Sequence, residues 1–152
     1  MRSSSTRSAK AWCSIRQSRA EAERWLAQAE SDLAFDELGL RGGFFAQACF
    51  MCQQAADKAL KGLHYLGGAR VVLGHSVVEL LDGLTAGHPA LRGVREVAQQ
   101  LDQYYIPPRY PNGLPAGAVP SAVFTKRQAD DALAGAQAIS DIAGVAIRQH
   151  RP

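Results

Sequence analysis

The feature that most constrains the fold is a stripe of small and apolar residues that recurs at steps of three and four. The stripe consists of Phe45, Ala48, Cys49, Cys52, Ala55, Ala56, Ala59, Leu60 and Leu63. This spacing follows one face of an α-helix for about five turns, so we predict a helix over residues 44–66. Its small side chains allow neighbouring backbones to approach closely. The stripe therefore predicts a long, Ala-rich helix in the core of a helical protein.

Four further segments have helical periodicity, and none of the chain has a convincing strand pattern. We predict these helices over residues 19–38, 76–85, 90–104 and 125–148. Three of the helix starts have a hydroxyl residue followed three positions later by Glu or Gln, a pattern that caps the first turn, at Ser18, Ser76 and Thr125. Residues 105–123 contain five prolines and are expected to hold no helix. The pattern predicts an all-α, up-and-down antiparallel bundle of four or five helices.

The distribution of charge divides the chain into two parts. Residues 1–24 hold six Lys or Arg and two Glu, whereas the rest of the chain is close to neutral. We predict a basic, flexible N-terminal extension over residues 1–17 and one helical domain over residues 18–150, a size that buries a substantial core. A basic extension is also suited to contact nucleic acid through its phosphates.

The sequence excludes several classes of protein. No apolar run approaches the ~20 residues that span a bilayer, and the first ten residues lack the apolar region of a secretory signal. We expect a cytoplasmic protein without membrane contact. Cys49 and Cys52 have the spacing of a redox or zinc pair, but both lie on the apolar face of the second helix. We interpret them as small core residues and expect no metal and no cofactor.

Three blocks, in this order, resemble the HEPN family. They are QQAADKALKGL at residues 53–63, Gly74-His75-Ser76 followed by Leu80-Leu81, and YYIPPRYPN at residues 104–112. The resemblance implies a bundle of four or five helices that usually forms a homodimer. It also implies a gene neighbour that encodes a minimal nucleotidyltransferase, in pairs similar to toxin–antitoxin systems. Many members are metal-independent RNases with an Arg-x4-6-His motif, and others bind nucleotides or RNA without catalysis.

Two segments compete for the Arg/His role. Arg70 and His75 have Arg-x4-His spacing, while Arg109 lies in the tyrosine-rich block, where position 114 holds Leu in place of His. Cleavage of RNA without a metal needs an acid or base that titrates near neutral pH, which His supplies, and a cation such as Arg. His75, Arg109 and Arg70 are therefore the candidate catalytic residues. The alternative is that Arg70 and His75 only shape the loop before the third helix.

The residues predicted to bind a nucleotide or RNA are aromatic or cationic. Aromatic rings stack on bases and Arg holds phosphate through paired hydrogen bonds, while two lysines beside the stripe can meet an anion. The set consists of Tyr104, Tyr105, Arg109, Tyr110, Lys58 and Lys61. In the alternative interpretation the tyrosines pack the loop against the bundle and the lysines form a solvated face.

Three hypotheses follow. The first is a homodimeric regulatory module that binds a nucleotide or RNA and pairs with a minimal nucleotidyltransferase. The second is a metal-independent RNase toxin that uses an Arg/His pair. The third is a non-catalytic helical scaffold that only sequesters a partner.

Overall fold

The fold is a bundle of helices. The computed structural model describes the backbone of residues 4–150 and the side chains of residues 14–150. This part of the chain has no strand and comprises α1 (Ser4–Arg41), α2 (Phe45–Leu66), α3 (Val77–Asp82), α4 (Arg95–Asp102), α5 (Pro120–Val123) and α6 (Lys126–Gln149). The all-α prediction is confirmed. No described helix combines the length and the apolar character that crossing a bilayer requires.

The core lies between the three long helices. α2 packs against α1 and α6, and these two also pack against each other. The stripe predicted from the sequence forms the buried face of α2, apart from Phe45, which is partly buried. The opposing faces of α1 and α6 are also rich in alanine, and they contribute Ala22, Ala29, Ala129, Ala132, Ala136 and Ala143. Since α1 and α2 are joined by only three residues, they are antiparallel neighbours.

Gly62 lies where α2 approaches both α1 and α6 closely. A Cβ at this position would lie 3.2 Å from the Ala22 carbonyl oxygen of α1 and 3.3 Å from the Ile147 Cδ1 of α6. The first of these neighbours is backbone and cannot rotate away. The absence of a side chain at Gly62 therefore lets α2 lie against both neighbouring helices.

A carboxylate of α4 fixes the start of α3. Asp102 accepts hydrogen bonds from the Ser76 hydroxyl at 2.7 Å and from the Val77 backbone amide at 2.6 Å. The Ser76 oxygen in turn accepts from the Glu79 amide at 3.2 Å, as the capping pattern predicts. Backbone amides at the first turn have no partner within their own helix, so these bonds hold α3 and the residue before it in place.

The first helix is longer than predicted. It begins at Ser4 and not at Arg19, so Ser18 lies inside α1 and does not cap it. The segment from Ser4 to Gln17 has no glycine and no proline to stop a helix. The predicted extension over residues 1–17 includes Met1–Ser3, which lie outside the described residues, and the domain boundary at residue 18 stays a prediction.

The predictions for residues 76–123 need three corrections. α3 ends at Asp82 and is capped by Gly83. The predicted helix over residues 90–104 is a 3-10 turn, Pro89–Val94, followed by the shorter α4. The proline-rich segment was wrongly expected to hold no helix: Pro111–Gly113 forms a 3-10 turn and Pro120–Val123 forms α5. Each of these turns has its proline in the first positions, where the missing N–H costs nothing.

We predict that Thr125→Ala lowers the free energy of unfolding by about 1 kcal/mol. Thr125 accepts from the Gln128 amide, and the Gln128 side chain accepts from the Thr125 amide, so both bonds of a capping box are present. Ser18→Ala is the matched control, because Ser18 lies within α1 and alanine favours helix. Urea denaturation measures both variants. An equal loss in both would contradict the placement of Ser18 inside α1.

Candidate functional site

Phe50, His75 and Arg109 lie against the ring of Tyr105, and Tyr110 lies against Arg109. We call these five side chains the Tyr105 cluster. The His75 ring stacks on Tyr105 with centroids 5.2 Å apart and an angle of 22° between the planes. The Arg109 Cζ lies 4.6 Å from the centroid of the same ring. Both distances start from one ring, so the His75 and Arg109 groups are separated by no more than their sum, about 10 Å.

Three aromatic rings surround the guanidinium of Arg109. Its Cζ lies 4.4 Å from the Phe50 centroid and 5.1 Å from that of Tyr110, in addition to Tyr105. Its Nε donates a hydrogen bond to the Tyr105 carbonyl oxygen at 2.7 Å. Aromatic faces attract a cation, and the bond to Nε fixes the plane of the guanidinium. Among the described residues its terminal nitrogens make no hydrogen bond, so they are available to an anion.

The main chain around His75 is held from two sides. The Gln53 amide of α2 donates to the His75 carbonyl oxygen at 2.6 Å, and Ser76 belongs to the capped start of α3. Gly74 has a φ of 86°, a left-handed conformation that suits glycine. The His75 side chain itself is about half exposed, at 52%. A fixed backbone therefore presents an accessible imidazole.

A buried carboxylate lies behind this imidazole. The Asp57 Oδ1 is 3.6 Å from the His75 Nδ1, and the Asp57 Oδ2 is 3.0 Å from the Lys61 Nζ. The Asp57 and Lys61 side chains are almost fully buried. The pair links the cluster to the interior of the bundle, because Lys61 also lies 5.8 Å from the Trp25 ring of α1.

Comparison with known proteins identifies the family. A model of the HEPN domain matches residues 22–146, which include every member of the Tyr105 cluster. The chain belongs to the HEPN family. No curated protein gives a significant match to this HEPN chain.

Two solved structures are similar to this HEPN protein. TT1696 from Thermus thermophilus is 42% identical, with a TM-score of 0.74 over 82% of this chain and 96% of that one. ST0689, described as an archaeal HEPN homologue, is 35% identical, with a TM-score of 0.69 over 84% of this chain and 98% of that one. The resemblance seen in the sequence is therefore confirmed, together with the helical-bundle fold.

The structure does not bring all the candidate residues together. Tyr104 is buried and packs edge-on against Phe124, with centroids 6.0 Å apart, and burial raises the pKa of its hydroxyl. Lys61 is buried against Asp57, and Lys58 forms an ion pair with Asp32 of α1. These three side chains lie outside the cluster, so none of them enters the proposals below as a ligand-binding group.

Arg70 also lies apart from the cluster. It is exposed and lines a groove together with Ser18 and Tyr65, on the side of the molecule where α1 runs. Within residues 14–150, its side chain has no ion pair or cation–π contact with His75 or Tyr105. The Arg-x4-His spacing of the sequence thus does not correspond to a contact between the two side chains.

Sequence reasoning missed three residues that build the site. Phe50 packs against Arg109, Gln53 holds the main chain of His75, and Asp57 lies behind the His75 ring. A signal for two of them was present: Gln53, Asp57 and Lys61 recur at steps of four along α2, so they share one face. All three are buried. A polar line beside an apolar stripe indicates an internal hydrogen-bonding network.

The Cys-x-x-Cys pair belongs to the core. Cys49 and Cys52 are fully buried, and burial, followed by the charge of Asp36, raises the pKa of Cys49 to about 12. Asp36 of α1 is 1% exposed, and neither carboxylate oxygen has a hydrogen-bond partner among the described residues. Burial raises its pKa to about 7. In the described chain no set of three His, Cys, Asp or Glu side chains is arranged to hold a metal.

We predict that Asp36→Asn stabilises the protein at pH 8 and has a much smaller effect at pH 4. The pKa of Asp36 is about 7 in the folded chain against 3.8 for the free group. As the pH rises between these two values the unfolded chain ionises first, so the folded protein loses stability. The amide removes this loss, which is on the order of a few kcal/mol. Urea denaturation of the variant and the wild type at both pH values measures the difference.

Glu37→Gln is the control for this prediction. It removes a carboxylate from the next position of α1, where the side chain is exposed. Its difference from the wild type should be the same at both pH values. An Asp36→Asn effect that does not change between pH 4 and pH 8 would contradict the raised pKa of Asp36.

Proposed function

We propose that this HEPN protein is a regulatory module that binds RNA or a nucleotide through the Tyr105 cluster. The observation that carries the proposal is the guanidinium of Arg109, fixed between aromatic rings beside the accessible imidazole of His75. Arginine binds phosphate with two parallel hydrogen bonds, and a fixed guanidinium loses little entropy when it does so.

The aromatic part of the cluster supports contact with a base. Tyr110 is 49% exposed and follows Arg109 directly, so its ring is accessible beside the cation. Stacking of a base on an aromatic side chain contributes about 1–3 kcal/mol and tolerates any base. A phosphate on Arg109 and a base on Tyr110 together describe one nucleotide unit of a ligand.

The assembly of the protein is part of the proposal. We infer a homodimer in the cytoplasm that pairs with a minimal nucleotidyltransferase, as the family resemblance implies. Val71 and Leu73, in the loop that leads to His75, are 69% and 84% exposed. Exposed apolar residues of this size support contact with another protein chain at the edge of the cluster.

We predict that Arg109→Ala weakens binding of a short, fluorescein-labelled single-stranded RNA by about tenfold or more, equivalent to the roughly 1.5–3 kcal/mol of a charge-assisted hydrogen bond. The slope of log affinity against log salt should also fall by about one phosphate contact. Fluorescence anisotropy at several salt concentrations measures both quantities.

Arg127→Ala is the matched control for Arg109→Ala. Arg127 is an exposed arginine on α6, paired at 3.9 Å with Asp131 and outside the Tyr105 cluster. Its removal lowers the net charge equally, and the affinity should change by less than about twofold. Equal losses in the two variants would mean that RNA contacts the protein through net charge alone. Unchanged affinity in Arg109→Ala would favour the non-catalytic scaffold.

The second candidate function is a metal-independent RNase. His75 and Arg109 contact the same tyrosine ring, so an acid/base group and a cation lie at one site although the family's Arg-x4-6-His spacing is absent around Arg109. In this mechanism His75 moves a proton and Arg109 stabilises the negative charge that develops on the non-bridging phosphate oxygens.

This second candidate predicts cleavage of single-stranded RNA in excess chelator. His75→Ala and Arg109→Ala should each lower the rate by about 100-fold or more, in line with the effect of removing an acid/base or an electrostatic group. Arg70→Ala should leave the rate unchanged, because Arg70 lies outside the cluster. Gel electrophoresis of labelled RNA measures the rate. Cleavage that persists in His75→Ala or Arg109→Ala would assign it to another site.

A further inference from the structure

One oxygen of the carboxylate behind His75 has no hydrogen-bond partner among the described residues. Asp57 is 2% exposed, and its Oδ2 is paired with the Lys61 Nζ at 3.0 Å. Its Oδ1 accepts no hydrogen bond from any described residue. A buried, unpartnered carboxylate oxygen is costly.

The His75 Nδ1 lies close to this oxygen. The separation of 3.6 Å exceeds the range of a normal N–H···O hydrogen bond, which ends near about 3.2 Å. The backbone of His75 is fixed by Gln53 and by the start of α3, whereas its half-exposed ring rests on Tyr105. A small rotation of the ring therefore completes the bond without moving the main chain.

This arrangement selects one form of the imidazole. A neutral histidine carries its proton on one ring nitrogen and offers the other as an acceptor. A carboxylate can only accept, so Asp57 favours the form with the proton on Nδ1. The Nε2, on the far side of the ring, then presents a lone pair to a ligand at the cluster.

We propose that Asp57 is a positioning residue that holds the Nδ1–H of His75, so that Nε2 accepts a hydrogen bond from a ribose 2′-hydroxyl. The 2′-hydroxyl is the group that distinguishes RNA from DNA, and it is a donor suited to this lone pair. This inference rests on the proposed function and narrows its ligand to ribonucleotides. Arg109 takes the neighbouring phosphate.

The first part of the test measures which ring nitrogen of His75 is protonated, without any ligand. Nitrogen-15 NMR of the full chain, with labelled histidine and at a pH where the ring is neutral, shows which nitrogen of His75 carries the proton. The wild type should carry it on Nδ1. In Asp57→Asn the amide oxygen is expected to take the bond from Lys61, which turns the NH2 towards Nδ1 and moves the proton to Nε2.

Asp32→Asn is the matched control. Asp32 is a second nearly buried carboxylate, which pairs with a lysine of α2, Lys58, and does not contact His75. This variant should leave the His75 proton on Nδ1. A wild-type ring protonated on Nε2, or a proton position that Asp57→Asn does not change, would overturn the role of Asp57. The wild-type measurement decides the question even where Asp57→Asn does not fold.

The second part of the test measures the preference of the protein for RNA over DNA. Fluorescence anisotropy compares an RNA and a DNA oligonucleotide of equal length, with uracil bases in both. The wild type should prefer RNA by roughly twofold to tenfold, the contribution of one hydrogen bond. Asp57→Asn and His75→Ala should lose this preference, while Asp32→Asn keeps the preference.

The two parts of the test separate the failure of this inference from that of the proposed function. Equal affinity of the wild type for RNA and DNA would overturn the contact with the 2′-hydroxyl. Binding of neither oligonucleotide, with the proton on Nδ1, would overturn the proposed binding of RNA, while the positioning of His75 by Asp57 stands.

Discussion

The close packing of α2 against α1 and α6 is the constraint on which the rest of the structure depends. It is made possible by alanines on all three helices and by Gly62, where a side chain would meet the backbone of α1. Close packing of small residues leaves little free volume, so adding or removing one methyl group in the core disturbs the packing of the helices. α2 also carries Gln53 and Asp57, which lie behind the candidate site. The packing of α2 therefore fixes the position of these two side chains.

α2 links the core and the Tyr105 cluster through a line of polar residues. Gln53 holds the main chain of His75, and Asp57 lies between His75 and Lys61. A buried ion pair contributes little net stability, because removing both charges from water offsets most of their attraction. The Asp57–Lys61 pair is therefore better explained by what it positions than by the stability it adds. Asp102 completes the support from α4 by fixing the start of α3.

The sequence predicted what depends on periodicity and composition: α2, the cap at Thr125, and an arginine with tyrosines in one loop. The sequence could not show that Tyr104 is buried in the core while Tyr105 lies in the cluster. The two tyrosines are adjacent, and they differ only in the direction in which their side chains point. The sequence also could not separate Lys58 from Arg109 as a free cation, because the partner of Lys58 is 26 positions away. Whether a side chain is buried or paired depends on contacts between residues far apart in the sequence, and a local sequence pattern does not predict these contacts.

We propose that His75 and Arg109 act on one ligand beside the ring of Tyr105. A double-mutant cycle on RNA affinity, built from His75→Ala, Arg109→Ala and the double variant, measures their coupling directly. Groups that share a partner couple by about 0.5–3 kcal/mol, whereas distant groups are additive within about 0.5 kcal/mol. We expect a coupling energy between His75 and Arg109 clearly above about 0.5 kcal/mol. This coupling should disappear when the cycle is repeated in Tyr105→Ala. Additive losses with Tyr105 in place would contradict the proposal.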